Sequence, residues 1–292
     1  MPETDETVRD LIRAHYEDLT QTERKCANAL LQDYPGAGLA SITEVAANAD
    51  VSTPTVARMV QKLGFKGFPQ FHKALLQELQ AKVSGPTQRR DAWASEAPAA
   101  HLLNRFSQAV THNLAQTFSH VDSDRFDASV ALLSRTEGQL YIVGGRITRS
   151  LAGYAFTHFQ AIRPGVVHMT SSAATWPHYV LDMGPGDTLL IFDIRRYEAN
   201  LLRLAELASE RGVKVVLITD QWPSPVARVS DHAFTCWVEI PSGWDSNIST
   251  MMLLEAMIAA VQESRWPEAR KRYEELDQIF DQTRLFRRPG SS

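Results

Sequence analysis

Apolar and polar positions alternate at helical spacing from the start of the chain to about residue 82, and the pattern then changes character. Thr20-Gln21-Thr22-Glu23 has the form of a capping box and predicts a helix to about Asp33, stopped before Pro35-Gly36. Ser41-Ile42-Thr43-Glu44 repeats the device and opens a short helix through Val45, Ala46 and Ala47. A turn follows at Ala49-Asp50-Val51-Ser52, with Asp50 at the position that needs a positive φ. Pro54, near the first position of the next helix, costs it no hydrogen bond, and that helix should end at Gly64. Val56, Met59, Val60 and Leu63 fall at i, i+3, i+4 and i+7, which turns them to the core and leaves Thr55, Arg58 and Lys62 opposite.

A polar connector over residues 83–98, with Gly85, Pro86 and Pro98, separates this block from the rest. Beyond it the period shortens. Gln139–Val143, Thr188–Phe192 and Val213–Thr219 are short apolar, β-branched runs, divided by helical stretches at Thr148–Ile162 and Tyr197–Glu210. Continuous apolar strands alternating with helices predict a parallel sheet covered on both faces. The expected fold is therefore α + α/β: a helix-turn-helix domain at 1–82, a linker at 83–98, and a doubly wound domain at 99–286. A segment from Ile248 to Val261 is more apolar than a one-sided helix requires; core packing explains this as well as a subunit contact does, and the subunit contact is preferred. Trp266 to Phe286 reads as a closing charged helix, and Trp176, Trp222, Trp237 and Trp244 are candidates for a pocket wall or for packing.

Charge changes the picture only locally. The net charge of −4 excludes indiscriminate binding to polyanions, yet residues 52–82 hold five basic side chains and one acidic. Ser52, Thr53 and Thr55 lie at the start of the second helix of the pair, where N–H and hydroxyl groups meet phosphates or base edges. Arg58 suits guanine, while Lys62, Lys66 and Lys73 suit phosphates. The same composition also fits a three-helix packing unit with a solvated basic face. Cys26 and Cys236 are too isolated for a zinc or redox site, so no metal or cofactor is expected. The N-terminus lacks the regions of a signal peptide and no run is long enough to span a membrane, which predicts a cytoplasmic protein.

Leu19–Arg24, Ser41–Ala46, Val51–Arg58, Lys62–Phe68 and Phe71 together resemble, in order and spacing, the N-terminal domain of the RpiR/MurR family. That family usually has glycine where Asp50 stands. The resemblance implies a transcriptional regulator in which a helix-turn-helix precedes a sugar-isomerase-type (SIS) sensor. It implies as partners a double-stranded DNA operator, a small-molecule effector and a second copy of the chain, as homodimer or homotetramer. Residues 105–265 resemble an SIS domain in the strand running into Gly144, in Gly186-Asp187, in Gly212–Val215 and in Ile218-Thr219-Asp220 followed by Ser224-Pro225.

SIS domains typically hold a phosphosugar with hydroxyls in two strand-to-helix loops. The first loop here is Gly144-Gly145-Arg146-Ile147-Thr148, with Thr148 in place of the usual serine. The second, Ser-x-Ser-Gly-x-Thr in the family, is here Asp193-Ile194-Arg195-Arg196-Tyr197-Glu198, without one of its hydroxyls. Three readings follow: a phosphosugar held by arginine, a different ligand such as a sugar acid or uncharged metabolite, or a structural Asp-Arg pair in a vestigial pocket. The second is preferred, with Gly144, Arg146, Thr148, Asp193, Arg195 and Arg196 as the ligand-binding set. The rival from another class is a sugar-phosphate isomerase or lyase. It would need a general base, for which His158, His168, His178 and Glu255 are scattered candidates outside any catalytic motif, so no catalytic residue is assigned.

Overall fold

The computed structural model describes residues 7–32, 34–83, 85–88, 90, 101–169, 172–222 and 224–283. It divides into two compact units, Met1–Gln88 and Arg89–Ser292. Most of the connector expected at 83–98, and the last residues of the helix expected to reach Phe286, lie outside the described residues.

The first unit contains α1 (Val8–Ala14), α2 (Gln21–Gln32), α3 (Ile42–Asn48), α4 (Thr53–Lys62) and α5 (Phe68–Val83). Ser41 and Glu44 form the expected reciprocal cap. Asp50 takes φ 51° in the turn, and Gly64, at φ 89°, follows the end of α4. Cys26, Leu30, Val45, Val56, Met59, Val60, Leu63, Phe71 and Leu75 interlock in one core. Helix α1 carries its own capping box, Thr7 with Asp10. Its first N–H, on Val8, donates to Glu78 of α5 at 2.7 Å, and Glu78 also accepts from the hydroxyl of Tyr34. Burial pushes the Glu78 carboxyl up to about 7, against the opposing pull of those two hydrogen bonds.

The second unit opens with α6 (Leu102–Ser119) and α7 (Ser123–Ser134). The α/β portion then runs β1 (Leu140–Gly144), α8 (Arg149–Ile162), β2 (Val166–His168), α9 (Trp176–Asp182), β3 (Thr188–Asp193), α10 (Ala199–Glu210), β4 (Lys214–Asp220) and β5 (His232–Cys236). Helices α11 (Ile248–Ser264) and α12 (Trp266–Thr283) close it. All pairings are parallel, in the order β2-β1-β3-β4-β5. Tyr141, Val143, Leu189, Ile191, Val215 and Leu217 pack on one face against α9 and α10. Their neighbours Leu140, Ile142, Leu190, Phe192, Val216 and Ile218 are equally buried. A sheet covered on both sides thus explains the unbroken apolar runs. Leu253, Leu254, Met257, Ile258 and Val261 of α11 are buried against α6, α7 and α8, so core packing accounts for most of its apolar excess; Ile248 and Met252 stay exposed. Among the described residues no helix is long and apolar enough to cross a membrane.

At the amino ends of the strands Arg163, 1% exposed, donates to the carbonyls of Leu133 at 3.1 Å, Gly138 at 2.7 Å and Pro164 at 3.0 Å. One guanidinium thereby ties the end of α7, the approach to β1 and the exit of α8.

Two stability predictions result. Arg163→Met should lower unfolding free energy in denaturant by about 3 kcal/mol or more by stranding buried carbonyls. Arg163→Lys should recover less than half of that, because an ammonium lacks the fork that spans three acceptors. Equal stability of all three proteins would refute the clamp. For Glu78, a folded-state value above its ordinary 4.5 means stability fully present below about pH 4.5 and lost as pH rises through about 7. The first unit should lose on the order of 1–3 kcal/mol between about pH 5 and pH 8, and Glu78→Gln should flatten that slope in pH-dependent melts.

Candidate functional site

In the first unit the exposed stripe of α4 is Pro54, Arg58 and Gln61, with Ala57 half-buried between them. Ser52 is exposed and Thr53 half-buried at the start of the helix, while Lys66 and Lys73 are exposed beyond it. Two expected members of the face make contacts within the protein, Thr55 being buried and Lys62 exposed. Thr55 is only 5% exposed, its hydroxyl 2.9 Å from that of Ser52, and it accepts a long hydrogen bond from Arg58 at 3.4 Å. It orders the helix start and steadies Arg58 from below. Lys62 donates to the carboxylate of Glu23 and to the carbonyl of Asp18, both at 2.8 Å. Glu23 is 2% exposed; burial pushes its carboxyl up, but the hydrogen bonds of Lys62 and Thr20 outweigh that and hold it below the ordinary range. Lys62 is therefore a brace between α2 and α4, with a partner 39 residues upstream that spacing within α4 does not show. Gln61 was overlooked, although its place three residues after Arg58 marks the same face.

In the second unit the strand order reverses direction between β1 and β3, which opens a crevice at their carboxyl ends. A cavity of about 230 Å³ lies there. Arg146, Ile147 and Thr148 line it from the loop after β1, and Ile194, Arg195 and Arg196 from the loop after β3. Trp244, Asp245 and Asn247, just before α11, complete the wall. Of these three the sequence suggested only Trp244, which is 49% exposed; Trp176, Trp222 and Trp237 are buried. A recess of about 50 Å³ on the same loops adds Gly145, Asp193 and Glu198. Gly144 is outside both linings. A Cβ there would come within 2.5 Å of the Thr148 backbone, so the glycine is what lets the loop fold back.

The expected ligand residues divide by what they already hold. The Thr148 hydroxyl donates to the Phe192 carbonyl at 2.8 Å and accepts the Gly145 N–H at 2.9 Å, so its single proton is engaged within the protein. Asp193 is buried and accepts the Ser224 hydroxyl at 2.6 Å. Arg195, its side chain 3% exposed, lies 3.2 Å from Glu239 and 3.3 Å from Asp245, and its guanidinium carbon sits 3.8 Å from the Trp222 ring centre. Its N–H donates to Asp220 at 2.5 Å, and the Tyr197 hydroxyl donates to the same carboxylate at 2.5 Å. Burial pushes Asp220 up to about 7 although those donors and the Arg195 charge pull it down, and it raises the Tyr197 phenol well above its usual value. Arg195 and Arg196 both take positive φ, 29° and 57°, so the loop is a left-handed turn pinned by Asp220. Arg196 is exposed, and Arg146 lies beside Trp244 with 5.6 Å from guanidinium to ring centre.

Glu239 joins this wall to α6: its carboxylate meets Arg195, and its carbonyl accepts the Asn113 side-chain amide at 2.7 Å. The scattered base candidates are elsewhere. His158 stacks on Tyr154, His168 on Phe156, His178 lies near the Thr175 carbonyl, and Glu255 accepts from Tyr154; none lines the cavity. Among the described residues no three His, Cys, Asp or Glu side chains converge to hold a metal ion.

Comparison with known proteins agrees with this division. Residues 7–82 match the helix-turn-helix domain of the rpiR family, and residues 132–260 match the SIS domain. The HTH-type transcriptional regulator HexR of Pseudomonas aeruginosa is 28% identical over 242 residues, covering 81% of this chain and 80% of HexR. The sugar isomerase domain of an RpiR transcription factor from Sphaerobacter thermophilus superposes with a TM-score of 0.56 at 20% identity, over 60% of this chain and 97% of that one. The Vibrio vulnificus NanR protein, solved with ManNAc-6P, also gives 0.56, at 18% identity over 97% of this chain and all of its own. The chain belongs to the rpiR family of helix-turn-helix transcriptional regulators, as a DNA-binding regulator with an SIS domain that senses a sugar-related molecule.

Proposed function

We propose that this regulator reads a double-stranded operator through Arg58 and Gln61 of α4, with Ser52, Thr53, Lys66 and Lys73 on the phosphates, and that the cavity between β1 and β3 binds its effector. The effector is a sugar-related acid rather than an ordinary phosphosugar. The observation that supports this is a division of labour: Thr148 and Asp193 are occupied inside the protein, while Arg146 and Arg196 remain exposed at the cavity. Guanidinium groups pair with a carboxylate through two hydrogen bonds, and Asp245 and Asn247 suit the hydroxyls of a polyol. None of His158, His168, His178 and Glu255 lines the cavity, which supports a sensor over an isomerase or lyase. The regulator works in the cytoplasm as a homodimer or homotetramer, matching the two-fold symmetry of paired half-sites.

Transmission would use the Arg195-Glu239-Asn113 chain. A ligand that re-pairs Asp245 alters the Arg195 contacts, and Glu239 carries the change to α6, the helix that follows the connector. Coupling of about 1–3 kcal/mol to operator affinity is the expected scale.

On a selected operator, Arg58→Ala should abolish sequence preference in anisotropy titrations, and Gln61→Ala should relax one position by about 1–3 kcal/mol. Lys66→Ala should instead lower affinity for all sequences and reduce the salt slope by about one unit. Lys62→Met should leave operator preference intact while lowering stability by about 1–3 kcal/mol, less than a fully buried pair would cost because Lys62 is 38% exposed. Parent-like preference in both Arg58→Ala and Gln61→Ala would dismiss the α4 stripe.

In thermal-shift screens a sugar acid at 100 times its Kd should add about 2.7 kcal/mol. Arg196→Ala should remove that response, and Asn113→Leu should keep it but uncouple it from operator binding. Stabilisation by common hexose phosphates and by none of the acids would overturn the effector class.

A further inference from the structure

The loop after β1 leads into α8, a helix of 14 residues, at the carboxyl edge of the sheet and on the wall of the cavity. Backbone N–H groups and the positive end of a helix in that position ordinarily meet a bound anion. Here the anion belongs to the chain. Glu198, the residue before α10, reaches across from the loop after β3, and its Oε1 accepts the Arg146 N–H at 2.6 Å. Its carboxylate lies so close to Gly145 that a Cβ there would come within 2.9 Å of it. Two further donors of the turn are engaged: the Gly145 N–H by Thr148 Oγ1 and, at 3.3 Å, by the Phe192 carbonyl, and the Thr148 hydroxyl by that same carbonyl.

We propose that Glu198 is the specificity determinant of the cavity: a resident carboxylate that occupies the anion position of the loop and excludes phosphate, whether inorganic or carried on a sugar. A phosphate seated at the Arg146 N–H would have to displace this carboxylate or lie against it, like charge on like charge. Recognition of an acidic ligand is thereby moved to Arg146 and Arg196 across the cavity, beside Trp244 and Asn247. The glycine at 145 is part of the same device, since any larger residue would push the carboxylate out. This assignment rests on the cavity being the effector site, and the test separates the two.

The full-length protein is titrated with inorganic phosphate by calorimetry, as parent, Glu198→Ala, Glu198→Ser and Glu198→Gln, with parent-like circular dichroism and melting as the check on folding. Glu198→Ala and Glu198→Ser should bind phosphate at least about tenfold more tightly than the parent. Glu198→Gln should stay close to the parent, because its amide oxygen still fills the position. Adding Arg196→Ala to Glu198→Ala should cancel part of the gain. Phosphate binding by the parent as tight as by a folded Glu198→Ala would overturn the proposal. So would folded Ala and Ser variants with no gain; the cavity reading then stands or falls separately, on whether Arg196→Ala removes the sugar-acid response. A gain that survives Arg196→Ala in full would place the phosphate outside the cavity and refute both.

Discussion

A parallel sheet whose strand order reverses must leave two adjacent loops diverging, with backbone groups that no neighbouring strand can pair. In this protein that happens between β1 and β3, and the way those groups are satisfied governs the rest of the second unit. Thr148 closes the first loop onto the last carbonyls of β3, Asp220 pins the left-handed turn of the second, and Glu198 bridges the two. The polar side chains nearest the cavity are thus spent on the scaffold. What faces the cavity includes a small set of long side chains, among them the exposed Arg146 and Arg196.

The same economy of partners appears in the head. A buried carboxylate needs donors, and Glu23 takes them from Thr20 in its own cap and from Lys62 on α4. Because α4 carries the exposed stripe, the pair sets the angle at which Arg58 and Gln61 are presented. Thr55 plays a related part from beneath Arg58. Two of the polar side chains of α4, Thr55 and Lys62, therefore make contacts within the head.

The cavity wall is joined to α6 through groups that are individually ordinary. Arg195 is held between Glu239 and Asp245 over an indole ring, and Glu239 is held in turn by Asn113. Arg195 and Asp245 are the members of this chain that also line the cavity.

The local code of the chain determined its elements and their class. Capping residues, Pro54, Gly64 and the i, i+3, i+4 apolar spacing mark the helices of the head, and three continuous apolar runs announce the parallel sheet, because these signals depend only on neighbours in sequence. Strands β2 and β5 were not legible: one is three half-buried residues, the other mixes His232, Thr235 and Cys236 with apolar positions, and neither carries the unbroken run of a doubly covered strand. For the site, the sequence named the two loops and the loss of their hydroxyls. Only the tertiary structure decided that Lys62 turns to Glu23, that Thr148 bonds Phe192, that Asp245 and Asn247 close the wall, and that Glu198 accepts the Arg146 N–H. Each of those is a pairing across tens of residues. Which partner a charged or hydroxyl side chain finds depends on where folding brings distant backbone groups, and no spacing along the chain records that.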